Sequence, residues 1–434
     1  MKILLVGNGA REHIMAEKLV ASPKCEELFV FASALNPGIE AMASVYHVGD
    51  PSDPVAVREF AEHNKPDFGV IGPEAPIAAG VVDELEAAGI PCASPTRALG
   101  QLETSKSFTR ALLEKYHVPG NPYFRIFKSD DGMLDYAKSL GEFVVKADGL
   151  HGGKGVFVQG DHFETAEEGI EIAKKFIDSD GSVVVEEKFI GQEFSLMSFV
   201  DGKTVIDMPP IQDHKRAFVG DKGPNTGGMG SYNAPLNLPF LTKQDLAEAH
   251  EITVQTAAAL KKELGEPYKG VMYGGFIAVK NGVRLIEYNA RLGDPEAMNA
   301  LSLLETDFVD VCQAIIDGTL GELDIWFSDK ASVCKYVVPE GYPTSPKKGG
   351  KIEIGDLPEA VTYYLASVDQ RDDGLYMLGS RAVAFVGIAD TIEEAEALAQ
   401  KGVESVKGPV FYREDIGTAA LIQSRIDMMK TLRV

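Results

Sequence analysis

Val144-Val145-Lys146-Ala147-Asp148-Gly149-Leu150-His151-Gly152-Gly153-Lys154-Gly155-Val156-Phe157-Val158 is the stretch from which the rest of the chain can be read. A buried apolar strand ends in a lysine, a glycine-rich loop carries a second lysine, and another strand returns. Lys154 is followed by Gly155 and a strand, not by Ser or Thr and a helix, so this is not a Walker loop. Glycines let a backbone close over a polyphosphate, and Lys146 and Lys154 would balance its charge. The plain alternative is a flexible hairpin tip with solvated lysines. Lys146 argues against it, because a lysine ending a buried Val-Val strand needs an anionic partner.

Downstream, Leu285-Ile286-Glu287-Tyr288-Asn289-Ala290-Arg291-Leu292-Gly293-Asp294-Pro295-Glu296 supplies the chemistry. Side chains alternate along a strand, so Leu285, Glu287, Asn289 and Arg291 are expected on one face, with Ile286, Tyr288 and Ala290 in a core. Glu287 and Asn289 are hard oxygen ligands suited to Mg²⁺, with Mn²⁺ as an alternative. Arg291 suits a transferring phosphoryl group or a carboxylate. Between the two stretches, the strand Val183–Glu187 runs into a hinge, Lys188-Phe189-Ile190-Gly191-Gln192-Glu193. Its backbone could meet an adenine edge and its acids a ribose, with a solvated acidic turn as the alternative. Gln212-Asp213-His214-Lys215-Arg216 and Gly223-Pro224-Asn225-Thr226-Gly227-Gly228-Met229-Gly230 pair a basic cluster with a specified glycine-rich path, and together read as a substrate site.

Upstream, Ile3–Val6, Leu28–Phe31 and Phe68–Ile71 read as buried strands, with helices Glu12–Ala21 and Pro54–His63 between them. This alternation implies a doubly wound parallel sheet. The turn Gly7-Asn8-Gly9-Ala10-Arg11-Glu12 resembles a dinucleotide fingerprint, but Glu12 replaces the third glycine and should crowd the helix–strand contact. The second strand ends in Ala32-Ser33 without an acid for a ribose, so a nicotinamide site is not expected. A phosphate at the helix N-terminus and a ligand-free tight turn both stay open. Further helices are expected at Ser105–Tyr116, Ala166–Ile177, Lys243–Glu263 and Asp307–Asp317, and beyond Trp326 the pattern turns β-rich: Val333–Val338, Val361–Leu365 and Ala382–Val386. Thr391 and Glu394 have capping-box spacing before Ala395–Ala399. The expected class is α/β and α+β multidomain: a Rossmann-like unit at 1–103, a central unit at 104–326 with a lid at about 120–190, and a β-rich unit at 327–434.

A chain of 434 residues is too long for one core. A formal net charge of −23 opposes nucleic acid or an anionic membrane as partner. Cys25, Cys92, Cys312 and Cys334 form no C-x-x-C pair, which fits a reducing cytoplasm. The apolar start is too short for a signal peptide, and no apolar run approaches a membrane span.

In combination, Lys146, the Asp148–Gly155 loop, the Glu186–Glu193 hinge and Glu287-x-Asn289-x-Arg291 resemble the ATP-grasp ligases. Gly7-Asn8-Gly9-x-Arg11-Glu12-His13, Gly72-Pro73-Glu74-Ala75-Pro76, Gln212–Arg216, Pro224–Gly230 and Arg291-x-Gly293-Asp294-Pro295-Glu296 narrow the resemblance to the phosphoribosylamine–glycine ligase family. It implies a mobile ATP-grasp lid, and joining of glycine to 5-phosphoribosylamine with ATP and Mg²⁺, through a glycyl phosphate, in de novo purine biosynthesis. ATP would fall to Lys106, Lys146, Lys154, Glu186, Glu187, Phe189, Ile190 and Glu193, and the metal to Glu287 and Asn289. Asp213, Lys215 and Arg291 would be catalytic. The substrates would meet Gly9, Arg11, Glu12, Glu74, Pro76, Asn225, Thr226, Gly227, Gly228, Arg291, Gly293 and Asp294. Departures are also present. Tyr273–Val279 carries no acid for a second metal, residues 333–346 read differently from bacterial members, and His151 stands where a small residue is common. An ATP-grasp ligase using formate or bicarbonate, an NAD(P)-linked oxidoreductase and a non-catalytic nucleotide sensor are the alternatives. Oligomeric state is open between monomer and dimer.

Overall fold

The computed structural model describes residues 1–152 and 154–434; Gly153 of the glycine-rich loop lies outside them. At the N-terminus four parallel strands lie in the order Val45–Val48, Glu27–Ala32, Lys2–Val6, Phe68–Ile71. Ile3 and Leu5 pack into one core, Leu4 and Val6 into another, and all four are fully buried. Covering both faces is why the strand reads as an unbroken apolar run. The strand Val45–Val48 escapes the sequence reading because it is an edge strand, with Val45 and Val48 exposed.

The lid is an antiparallel sheet in the order Phe124–Phe127, Val183–Glu187, Phe143–Ala147, Val156–Val158. The helices Met133–Leu140 and Ala166–Asp180 cover one face through Met133, Ile170, Phe143, Val145 and Val185. Thr165 and Glu168 close a capping box on the second helix. Lys146 and Glu186 lie on the opposite face, on neighbouring strands.

Next comes an antiparallel sheet, Val205–Asp207, Gln192–Val200, Gly270–Ala278, Val283–Asn289, packed against the helix Lys243–Leu264. Gly275 pairs with Glu287 and Phe276 with Leu285, so Ile286 is the extra residue of a bulge. That bulge corrects the expected alternation. Leu285 joins Tyr288 in the core, while Ile286, Glu287 and Asn289 line a cleft.

The last sheet runs Gln212–Asp213, Gly230–Asn233, Ala331–Pro339, Val383–Ala389, Val361–Leu365, with Val410–Phe411 alongside. Its first two strands carry the start of the basic cluster and the end of the glycine-rich loop 223–230, so the C-terminal sheet holds that loop directly. Thr391 caps the helix Ile392–Glu404 by accepting from the Glu394 N–H, but its hydroxyl meets the Glu394 side chain, so the box is not reciprocal.

Candidate active site

The bulge at Ile286 is where the lid meets the central sheet. Lys146 Nζ donates to the Ile286 carbonyl at 2.7 Å, and Arg110 Nη2 reaches the same oxygen at 2.7 Å. Both cations also hold Glu186: Arg110 through Nε at 2.8 Å and Nη2 at 3.1 Å, and Lys146 through an ion pair. Burial pushes the Glu186 carboxyl up, but Arg110 and Lys146 outweigh it and hold it below the ordinary range. Burial lowers the Lys146 ammonium against the pull of Glu186. The Glu186 side chain therefore faces into the protein; expected at the nucleotide, it instead sets the position of Lys146.

The cleft beside this joint has a cavity volume of about 120 Å³. Lys106, Lys146, Gly149, His151, Glu287, Asn289 and Arg291 are among its walls. Asp148 pins the start of the flap by accepting from Ser105 Oγ at 3.0 Å, Ser182 Oγ at 2.8 Å, the Ser107 N–H at 3.1 Å and the Ser107 hydroxyl. Lys106 Nζ donates to the Gly149 carbonyl at 3.1 Å. Lys154 is exposed on the flap. On the hinge Ile190 is exposed, an apolar surface next to Phe189, and Glu193 is exposed too. Glu187 accepts from the Tyr123 N–H at 2.8 Å.

Glu287 meets Lys215 at 3.4 Å. Burial raises the Glu287 carboxyl, but Lys215, Lys106 and Lys146 outweigh it and hold it at about 2. For Lys215 burial acts downward, and Glu287, Glu193 and Asp213 overcome it, keeping the ammonium charged. Asp213 is pushed well up by burial and by Glu296, against Lys215. Arg291 donates to Asn289 Oδ1 at 3.3 Å, Glu103 at 2.9 Å and Glu74 at 3.3 Å. Burial raises the Glu74 carboxyl, and Arg291 and Arg11 bring it down to about 2.

The glycine-rich loop 223–230 is held largely through its backbone. Thr226 N–H and Oγ1 both donate to the Lys215 carbonyl, at 2.7 and 2.8 Å, and Gly228 N–H donates to Thr226 Oγ1 at 3.0 Å. Asn225 pairs with Arg216 across a hairpin. Gly228 has φ +113°, and a Cβ there would lie 2.5 Å from Pro295 and 2.8 Å from Asp213 Oδ1, so only glycine fits. Arg381 Nη1 donates to the carbonyls of Gly227 at 2.8 Å, Gly228 at 3.1 Å and Asp294 at 3.0 Å, and Nη2 meets the Asp294 carboxylate at 3.0 Å. Tyr336 donates to the other Asp294 oxygen at 2.6 Å. Gly9 lies across from Asp294, and Gly293 is packed so that a Cβ would strike Glu296.

Three residues expected at the substrates are held by the protein's own groups. Glu12 is buried, accepting from Gly9 N–H at 2.6 Å and pairing with Arg11. The crowding expected of it is relieved because Gly7 and Gly72 leave the space its side chain fills. Arg11 reaches the Leu292 carbonyl at 3.1 Å, and Pro76 is packed inside its helix. Sequence reasoning missed Arg110, Glu103, Tyr336 and Arg381. For Arg381 a signal was present: like Lys146 it is a cation at the end of a buried apolar strand, Ala382–Val386.

Matches to known proteins cover all these parts. Residues 1–103, 104–297 and 332–419 match the N domain, the ATP-grasp (A) domain and the C domain of phosphoribosylglycinamide synthetase. A phosphoribosylamine–glycine ligase of Methanosarcina barkeri is 46% identical over 434 residues, 100% of both chains. The crystal structure of the phosphoribosylamine–glycine ligase of Thermotoga maritima superposes with a TM-score of 0.80 at 27% identity, covering 96% of this chain and 100% of that one. The biotin carboxylase domain of Hydrogenobacter thermophilus 2-oxoglutarate carboxylase, in complex with MgADP, ADP and bicarbonate, shares the fold: TM-score 0.73, 17% identity, 99% and 93% coverage.

Proposed function

The chain belongs to the phosphoribosylglycinamide synthetase family, and from that premise we propose that its cleft joins glycine to 5-phosphoribosylamine through a glycyl phosphate. The chain is an ATP-dependent carbon–nitrogen ligase of purine biosynthesis, forming glycinamide ribonucleotide and ADP. A carboxylate is a poor electrophile and its oxide a poor leaving group, so activation must precede amide formation. One oxygen of glycine bonds to the γ-phosphorus of ATP as the bridging P–O bond breaks and ADP leaves. The ribosylamine nitrogen then attacks the acyl carbon, phosphate departs, and the nitrogen sheds a proton. Asp213, whose carboxylate lies beside Gly228, would take it.

Lys146 and Lys106 hold the nucleotide phosphates, while Ile190 and Phe189 offer an apolar hinge surface to its base. Lys215 and Arg291 balance charge on the transferring group. Closure of the flap keeps water from the acyl phosphate. Glycine and the ribosylamine fall to Gly9, Asn225, Gly228 and Asp294.

Glu287 and Asn289 fit a divalent metal of the Mg²⁺ or Mn²⁺ kind: both are oxygen donors on the cleft wall, and Glu287 stays ionised. Among the described residues no cluster of three or more His, Cys, Asp or Glu could hold a metal alone, so phosphate and water would complete the shell. Bound there, the metal would neutralise charge on the phosphates. No described helix is long and apolar enough to cross a membrane, and we place the reaction in the cytoplasm.

The observation that carries this reading is the cleft itself, with Glu287 and Asn289 on one wall and Lys106, Lys146 and the flap on the others. ADP release should need glycine and ribosylamine together and be indifferent to bicarbonate. Release driven by bicarbonate, or glycine-independent binding without turnover, would remove the proposal.

A further inference from the structure

His151 is the flap side chain that the reading above leaves without work. Its Nε2 lies 2.6 Å from Oδ2 of Asp180, the last residue of the helix Ala166–Asp180. Ser179 Oγ donates to the other Asp180 oxygen at 2.8 Å. The ring stands edge-on to Phe176 of the same helix, centroids 5.4 Å apart at 70°. Two contacts from one helix therefore fix both the position and the plane of the imidazole. Gly155 makes room for it, since a Cβ there would lie 2.8 Å from the His151 Cβ. The other ring nitrogen, Nδ1, has no hydrogen-bond partner among the described residues, and His151 lines the cleft with Lys106, Lys146 and Gly149. The charged groups nearby are Asp180 on the helix, Asp148 and Lys154 within the flap, Lys146 on the cleft wall, and Lys106, which reaches the Gly149 carbonyl from the helix Lys106–Lys115.

An imidazole that gives its Nε2–H to a carboxylate presents Nδ1 as an acceptor when neutral and as a donor when protonated. We propose that Asp180 and His151 form a phosphate-binding element of the flap. With nucleotide in the cleft, the His151 imidazolium donates from Nδ1 to a phosphate oxygen, while Asp180 orients the ring and balances its charge. His151 is thus a nucleotide-positioning residue, in addition to Lys106 and Lys146. The inference rests on the placement of the nucleotide phosphates in this cleft.

His151→Gln separates this role from a purely mechanical one, because the longer amide still reaches Asp180 but presents nothing at the Nδ1 position. Equilibrium binding of a non-hydrolysable imido analogue of ATP, and of adenosine, is measured on the full chain for wild type, His151→Gln and Lys106→Met. His151→Gln should bind the analogue roughly tenfold more weakly, the size of a lost charged hydrogen bond, with adenosine binding unchanged. In turnover the loss should appear in KM for ATP more than in kcat. Equal weakening for adenosine would make His151 a flap-folding residue and overturn the inference. If Lys106→Met weakens the analogue and His151→Gln does not, the inference alone fails. If neither variant weakens it, the placement of the phosphates fails with it.

Discussion

The two glycine-rich loops, 148–155 and 223–230, look alike in sequence and are held in different ways. The flap at 148–155 is fastened at its beginning by side chains, three serines on Asp148, and at its middle by His151 on Asp180, while Gly152 and Lys154 are exposed. The loop at 223–230 is fastened by its own backbone. His214 N–H bonds to Gly230, Met229 N–H to His214 and Thr226 N–H to Lys215, and Met229 is fully buried. Arg381, just before the strand Val383–Ala389 of the same sheet, then gathers three carbonyls at once. Few buried bonds leave a segment free to open locally at low cost, whereas a loop woven into a sheet opens only with the sheet. In the proposed reaction the flap would be the part that closes on a ligand, and the loop at 223–230 the fixed template.

Glu287 stands between them, paired to Lys215 of the rigid side and facing the flap side. Its removal should give the largest effect. Glu287→Ala should lower kcat by roughly 10³–10⁵, the range for losing a group that stabilises charge in phosphoryl transfer. The melting temperature should stay near wild type, because the side chain lies on the cleft wall. Retained turnover would take Glu287 out of the metal site and remove the link between the loops.

Arg381→Ala tests the rigidity of the template directly. The carbonyls of Gly227, Gly228 and Asp294 and the Asp294 carboxylate would lose a shared buried donor, at a cost of about 3 kcal/mol in denaturant unfolding. KM for the ribosylamine should rise, while binding of the ATP analogue stays unchanged. A variant as stable as wild type would show that the backbone bonds suffice alone.

Next in size is an acid effect confined to the rigid side. His13 Nδ1 accepts from the Leu365 N–H at 2.9 Å, joining the N-terminal turn to the last sheet, and burial lowers its pKa from 6.5 to about 4. A histidine lowered in the folded state leaves stability untouched above its unfolded pKa. Stability then falls as pH drops from about 6.5 to about 4, by on the order of 3 kcal/mol. His214, lowered by burial to about 3, acts with the same sign. His13→Asn keeps an acceptor and removes the titration, so its stability should fall less steeply with pH over that window. An unchanged slope would exclude His13 as the source.

The difference between the loops also marks what could be read in advance. Strand periods and glycine runs are local, so Phe68–Ile71, Val183–Glu187 and Val361–Leu365 occupy the spans expected from sequence. Lys146, Glu287, Asn289 and Arg291 all reach one cleft, because a charged residue at the end of an apolar strand is visible in one dimension. The bulge at Ile286 was not visible, since it depends on a register with Gly275 and Phe276 set by the partner strand. Nor was the fate of Glu12 and Glu186: an acid that binds a ligand and one that binds a neighbouring arginine have the same letter. Arg110 lies seventy-six residues from Glu186, and nothing in either segment names the other.

The smallest expected effect separates the two ways of fastening a loop most finely. Asp148 accepts from Ser105, Ser107 and Ser182, so Ser182→Ala removes one donor and leaves its carboxylate bonded by the other two serines. The loss should be about 1 kcal/mol or less, the net worth of one hydrogen bond whose acceptor stays satisfied. Because the bond fastens only the flap, the effect should be local. Amides at 149–152 should exchange with solvent a few-fold faster, KM for ATP should rise about two- to threefold, and global unfolding should move little. Amides near Thr226 and Met229 should keep their wild-type protection, because their bonds run through the sheet. If those amides also exchanged faster, the two loops would open together, and the division into a closing flap and a fixed template would be wrong.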